Sequence, residues 1–144
     1  VANAFYLLLE QREDLKALEA IQKALSIADS IGVKASVSIV DRSMNLIAFA
    51  KADGATPHSA DTSRKKANTA ASTGRATGWM SSEIAITLPL GTDNKLTNVL
   101  GGMPLIFDGK LVGGLGISGG TVDQDKSVAL EAIKKIGADA PNIS

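Results

Sequence analysis

The chain has 144 residues, of which 44% are hydrophobic and 21% charged, which suits one globular domain with one core. Lys+Arg and Asp+Glu each count 15, so the formal net charge is zero; that argues against nucleic acid as the main partner and permits self-association. Aromatic residues amount to 3% and Cys is absent, which excludes a base-stacking platform, disulfides, thiolate metal sites, a Cys nucleophile and c-type haem attachment.

Residues 1–13 show no clear partner pattern and are expected to form an N-terminal arm or a short helix. Within it, the run Phe5 to Leu9 is short and lacks a basic flank, so it is not an intact signal peptide, and no apolar run approaches the roughly 20 residues that span a bilayer. No membrane partner is expected. The start at Val1 suits a cytoplasmic chain and one exported after signal cleavage equally well.

From Asp14 the positions Leu15, Leu18, Ile21, Leu25 and Ala28 recur at three- and four-residue steps, which predicts a helix ending at Gly32. The period then becomes two. Ala35, Val37 and Ile39 alternate with Ser36, Ser38 and Val40 as a strand, Asp41 to Asn45 form a turn, and Leu46 to Ala50 return. Ser59 or Asp61 caps an Ala-rich helix that Gly74 ends, and Ser81 to Leu88 form a shorter helix before a polar loop. A second hairpin pairs Met103–Phe107 with Lys110–Ser118 around Asp108-Gly109, a dipeptide suited to the positive φ of a type I′ turn. In the last helix Val128, Ala129, Ala132, Ile133 and Ile136 share a face. Strands arriving as hairpins predict an α+β domain spanning 1–144, with an antiparallel sheet of four to five strands flanked by helices.

Several segments resemble the GlcG/HbpS family, which includes the C-terminal domain of PduO-type proteins. They are Ile39-Val40-Asp41 with Leu46 to Phe49, Lys51 to Ala55, Lys66-Ala67 with Thr69-Ala70-Ala71, Gly101 to Pro104, and Gly113 to Gly120 followed by Asp123 and Asp125. Their order covers about Leu15 to Ile136. The resemblance implies a profilin-like fold, a homo-oligomer from dimer to octamer, and binding of haem, a related tetrapyrrole or another small molecule. Two departures stand out. The Asp-x-x-Gly turn reads Asp41-Arg42-Ser43-Met44, and His58 is the sole His, with no counterpart of an N-terminal haem-ligating His.

Gly114-Leu115-Gly116-Ile117-Ser118-Gly119 satisfies G-x-G-x-x-G, but it ends a hairpin strand with no further strand to complete a βαβ unit. Its glycines instead admit a close backbone neighbour. Gly119-Gly120 before a helix are ligand-binding candidates, because free N–H groups and the helix dipole attract anions; capping by Thr121 or Asp123 is the competing use. Gly101-Gly102, in the segment that resembles the family's second hairpin, are ligand-binding candidates that the resemblance implies. His58 can ligate iron or carry protons. Arg64 and Lys66 can hold a carboxylate, and a desolvated Lys66 can form a Schiff base. Lys66, His58 and Asp53 are therefore the catalytic candidates of an alternative reading, an enzyme acting on a small organic acid or carbonyl compound. One His and no Cys leave no metal site.

Overall fold

The structure, a computed structural model, describes residues 13–142. The expected arm, with Phe5 to Leu9, lies outside the described residues apart from Glu13, which opens the first helix. The elements are α1 (Glu13–Ser30), β1 (Ser36–Asp41), β2 (Leu46–Lys51), α2 (Ser59–Thr73), α3 (Ser82–Gly91), β3 (Gly102–Phe107), β4 (Lys110–Ser118) and α4 (Val122–Lys135). Four antiparallel strands form one sheet in the order β2-β1-β4-β3, so the fold is α+β as expected. Asp108 and Gly109 take φ of 50° and 80°, the positive pair that a type I′ turn requires.

The sheet is covered on both faces. Val37, Ile39, Met103, Leu105, Leu115 and Ile117 face α1 and α4, and the largest core lies between these layers. The opposite face is built of small residues. Ser38, Gly116 and Gly102 stand in one cross-strand row, and Val40, Gly114 and Pro104 in the next. A Cβ on Gly116 would meet the Ser63 carbonyl and Ala67 N, and one on Gly114 would meet the Ala67 carbonyl and Ala71 N. The glycines therefore let the α2 backbone lie directly on the strands. No βαβ unit forms around them.

Two-sided covering also corrects the expected alternation of β1. Ser36 and Ser38 are both fully buried, bonded side chain to side chain with Ser59 (2.8 Å) and Ser63 (2.7 Å) of α2. Buried hydroxyls are tolerated when each finds a partner. The α1 face differs as well. Ala17, Ala20, Ile21, Ala24 and Ala28 are buried, Leu25 is half-buried and Leu18 is 49% exposed; the Leu15 side chain lies outside what is described. Leu18 lies about a quarter turn off the stripe formed by Ala17, Ala20, Ile21, Ala24 and Ala28, which brings α1 against α4 and the sheet.

α2 is capped differently from expectation. Its N-cap is His58, whose side chain makes no capping bond, while Ser59 Oγ donates to the Thr56 carbonyl. Gly74 ends the helix at φ 69°, the left-handed conformation that glycine adopts without penalty. α3 begins at Ser81, whose hydroxyl accepts from Ile84 N, and runs through Pro89. None of its residues is buried.

Candidate functional site

α2 carries the predicted residues on two different faces. Lys66 points inward and is 1% exposed. Its ammonium donates to the Ile117 carbonyl at 2.7 Å and to Asp125 Oδ2 at 2.9 Å. Burial pushes the Lys66 pKa below its ordinary 10.5, and the bond to Asp125 opposes that shift. The other Asp125 oxygen accepts the Gly120 N–H at 2.9 Å. Gly101 lies against this pair: a Cβ there would come within 3.0 Å of Lys66 Nζ and 2.6 Å of the Ile117 carbonyl. Gly102 is packed likewise on the Lys66 carbonyl, and it exchanges two bonds with Thr77, through its N–H to Oγ1 and its carbonyl to the Thr77 N–H, each 3.0 Å. Gly101 and Gly102 thus make room for a buried ion pair.

The start of α4 is closed by its own side chains. Thr121 accepts from Gln124 N, Gln124 Oε1 accepts from Thr121 N at 2.9 Å, and Gly120 N is taken by Asp125. Gly119 packs on the Lys34 carbonyl. Gly119 and Gly120 therefore offer no open cradle of N–H groups, because capping has consumed the donors an anion would need.

Nor do Lys66, His58 and Asp53 converge. His58 and Asp53 are exposed, whereas Lys66 is sealed inside, and Asp53 sits within electrostatic reach of Lys34 after β2. A Schiff base at Lys66 would require breaking two buried bonds first.

The outward side of α2 is open. Arg64, Lys65 and Asn68 line a cleft of about 390 Å³ with the β1–β2 turn and the loop carrying Asn94 and Lys95. Arg64 donates to the Met44 carbonyl at 3.0 Å, and its Nε is buried without a partner. Asn68 Nδ2 donates to the Lys95 carbonyl at 3.1 Å, while its Oδ1 has no partner. The turn is held by Asp41, which accepts from Ser43 N, Asn45 N and Asn45 Nδ2. Met44 occupies φ 64° there, at the position where the resemblance calls for glycine. Three cations and one acid, Asp61, give the cleft a positive balance suited to a carboxylate.

Residues 14–134 match the family model described as haem degrading protein HbpS-like. The chain belongs to that family. A protein of Citrobacter freundii, known as an uncharacterized 15.0 kDa protein in the dhaT-dhaS intergenic region, is 33% identical over 123 residues, covering 82% of each chain. The crystal structure of a PduOC:heme complex is 32% identical with a TM-score of 0.81, over 91% of this chain and 97% of that one. A double mutant of Streptomyces reticuli HbpS is 30% identical with a TM-score of 0.74, over 85% and 84%.

Set within this HbpS-like frame, the site holds residues that the pattern alone did not single out. Asp125 is the partner of Lys66; the one hint was a lysine inside the small-residue stripe Ser63, Ala67, Ala70, Ala71, where a charge needs a counterion. Asn68 and Lys95 join Arg64 only because the long loop after α3 folds back onto α2. No group of three or more His, Asp or Glu side chains among the described residues is placed to hold a metal ion.

Proposed function

We propose that this protein binds haem or a related tetrapyrrole through the outward side of α2, as a homo-oligomer. The carrying observation is His58. Its ring stands exposed at the start of α2 and is not spent on capping, so an imidazole nitrogen would be available to hold the iron. His58 already has helical φ and ψ (−74°, −13°), and Lys65 follows seven residues later, about 10 Å along the same helix face. Arg64, Lys65 and Lys95 would then balance the carboxylates. The family match and the 32% identical PduOC:heme complex support the same reading.

The donor set fits haem, and the enclosure of one subunit does not. The cationic cleft is largely polar, and an apolar cleft of about 360 Å³ lined by Leu130, Ile133, Ala138 and Pro141 lies elsewhere. A second copy of the chain would supply the missing wall. The exposure of Ile86 (65%) and Leu90 (71%) on α3 marks a surface that such a copy would cover. Bound in this way, haem would supply an iron open to further ligands; the chain would hold the iron at His58 and the carboxylates at the cleft.

Titration of the purified protein with haemin tests this. A saturable shift of the Soret band is expected, weakened at least tenfold by His58→Ala, and weakened without a change of band position by Arg64→Gln with Lys65→Gln. The absence of any shift would remove haem, and an unaltered titration of His58→Ala would remove the proposed ligand.

A further inference from the structure

A second, smaller pocket lies where the chain leaves α2. Residues Arg75 to Trp79 cross to the first half of α4 and enclose about 130 Å³ with Leu100, Lys126 and Asn142. Trp79 is the sole Trp of the chain. The Arg75 guanidinium lies 4.2 Å from the centre of its ring, which fixes a cation beside the indole. The indole Nε1 is fully buried, so it is closed off from the pocket and has no acceptor among the described residues.

Among the described residues Arg75 and Lys126 line the pocket, and no Asp or Glu does. Among the described residues no carboxylate pairs with either cation. Thr77 holds the loop rigidly against β3 through its two bonds to Gly102. The volume matches about four water molecules at roughly 30 Å³ each. That space takes a single carboxylate or phosphate group and is far too small for a tetrapyrrole.

We infer that this pocket is a binding site for a small oxyanion, held by Arg75 and Lys126 beside the Trp79 ring. It shares no lining residue with the Arg64 cleft and does not involve His58, so it is independent of the haem reading. An oxyanion neutralises two cations that no carboxylate of the described residues pairs with.

The single Trp makes the site directly observable. Emission of the full-length protein is followed during titration with sodium phosphate and, separately, with sodium acetate, ionic strength being held constant with chloride. A saturable change is expected with at least one of them, and the anion that saturates at lower concentration identifies the class. Arg75→Gln and Lys126→Gln change side chains that are partly or fully exposed, so both variants should keep the wild-type circular dichroism. Each should raise the midpoint about tenfold. Calorimetry on the wild type should report binding of the same anion at the same midpoint. A signal that fails to saturate with either anion, or a midpoint unmoved in the Arg75→Gln/Lys126→Gln double variant, would overturn the assignment.

Discussion

Lys66 and Asp125, 59 residues apart in sequence, meet at 2.9 Å with side chains 1% and 4% exposed, and so join α2 on one face of the sheet to α4 behind the other. The strap passes the end of β4, where the Ile117 carbonyl takes a second proton of the same ammonium. Removing one partner strands a charge in the interior, a loss of about 3–5 kcal/mol in buried pairs. Lys66→Met should lower the unfolding free energy by about 3 kcal/mol in urea titrations. Adding Asp125→Asn should recover part of the loss, since the amide oxygen still accepts from Gly120 N. A single variant as stable as wild type would show that the pair carries no structural load.

Both hairpins, the Asp108-Gly109 turn, the α4 core face and the end of α2 at Gly74 were legible in the sequence, because each rests on local periodicity or on one residue's backbone preference. The two faces of α2 were not. Local pattern marks a Ser/Ala/Lys stripe as polar, whereas here Ser36 and Ser38 answer Ser59 and Ser63 across the layer, and Asp125 answers Lys66 from another element. Such matches depend on partners more than twenty residues away. The same limit applies to the Arg64 cleft, where Asn68 and Lys95 come together only through tertiary folding.

The glycine platform under α2 makes a graded prediction. Gly116→Ala would drive a methyl group into the Ser63 carbonyl and Ala67 N, two backbone atoms that cannot rotate away. Overpacking of this kind costs about 3 kcal/mol or prevents folding. Gly109→Ala meets open space and suffers only from its φ of 80°, a cost of about 1 kcal/mol. Urea midpoints of the two variants should fall in that order, and equal midpoints would mean that α2 does not lie on the strands as closely as described.

Met44 is a stabilising target. A side chain at φ 64° costs about 1 kcal/mol relative to glycine, even allowing for the greater freedom of glycine in the unfolded chain. The Arg64 bond is to the Met44 carbonyl and survives the change. Met44→Gly should therefore raise Tm by a few degrees in calorimetry; a lowered Tm would show that the Met44 side chain contributes more than its backbone costs.

Asp41 gives the fold an acid limit. Partial burial works to raise its pKa, but the donors on Asn45 and Ser43 outweigh this and hold it below the ordinary 3.8. A carboxylate depressed in the folded state contributes stability that is fully present above the unfolded value, about pH 4, and is lost as pH falls through the folded one. Urea midpoints measured downward from about pH 5 should decline, and Asp41→Asn should flatten part of that decline. Identical slopes for variant and wild type would place the acid sensitivity elsewhere.

The surface of α3 decides whether the subunit acts alone. Its Ile84, Ile86 and Leu90 are 40%, 65% and 71% exposed on a helix with no buried residue, and Glu83 is its one charged residue. A helix that buries nothing within its own subunit gains little from folding unless another surface covers it. Ile86→Asp and Leu90→Asp touch no core contact, so the unfolding free energy of an isolated subunit should shift by no more than about 0.5 kcal/mol. Assembly should respond far more strongly: light scattering on a sizing column should show a smaller species for the variants than for wild type. A wild-type chain that elutes as a monomer would refute the proposed homo-oligomer. An oligomer indifferent to both substitutions would move its contact surface away from α3, and with it the wall proposed to complete the haem site.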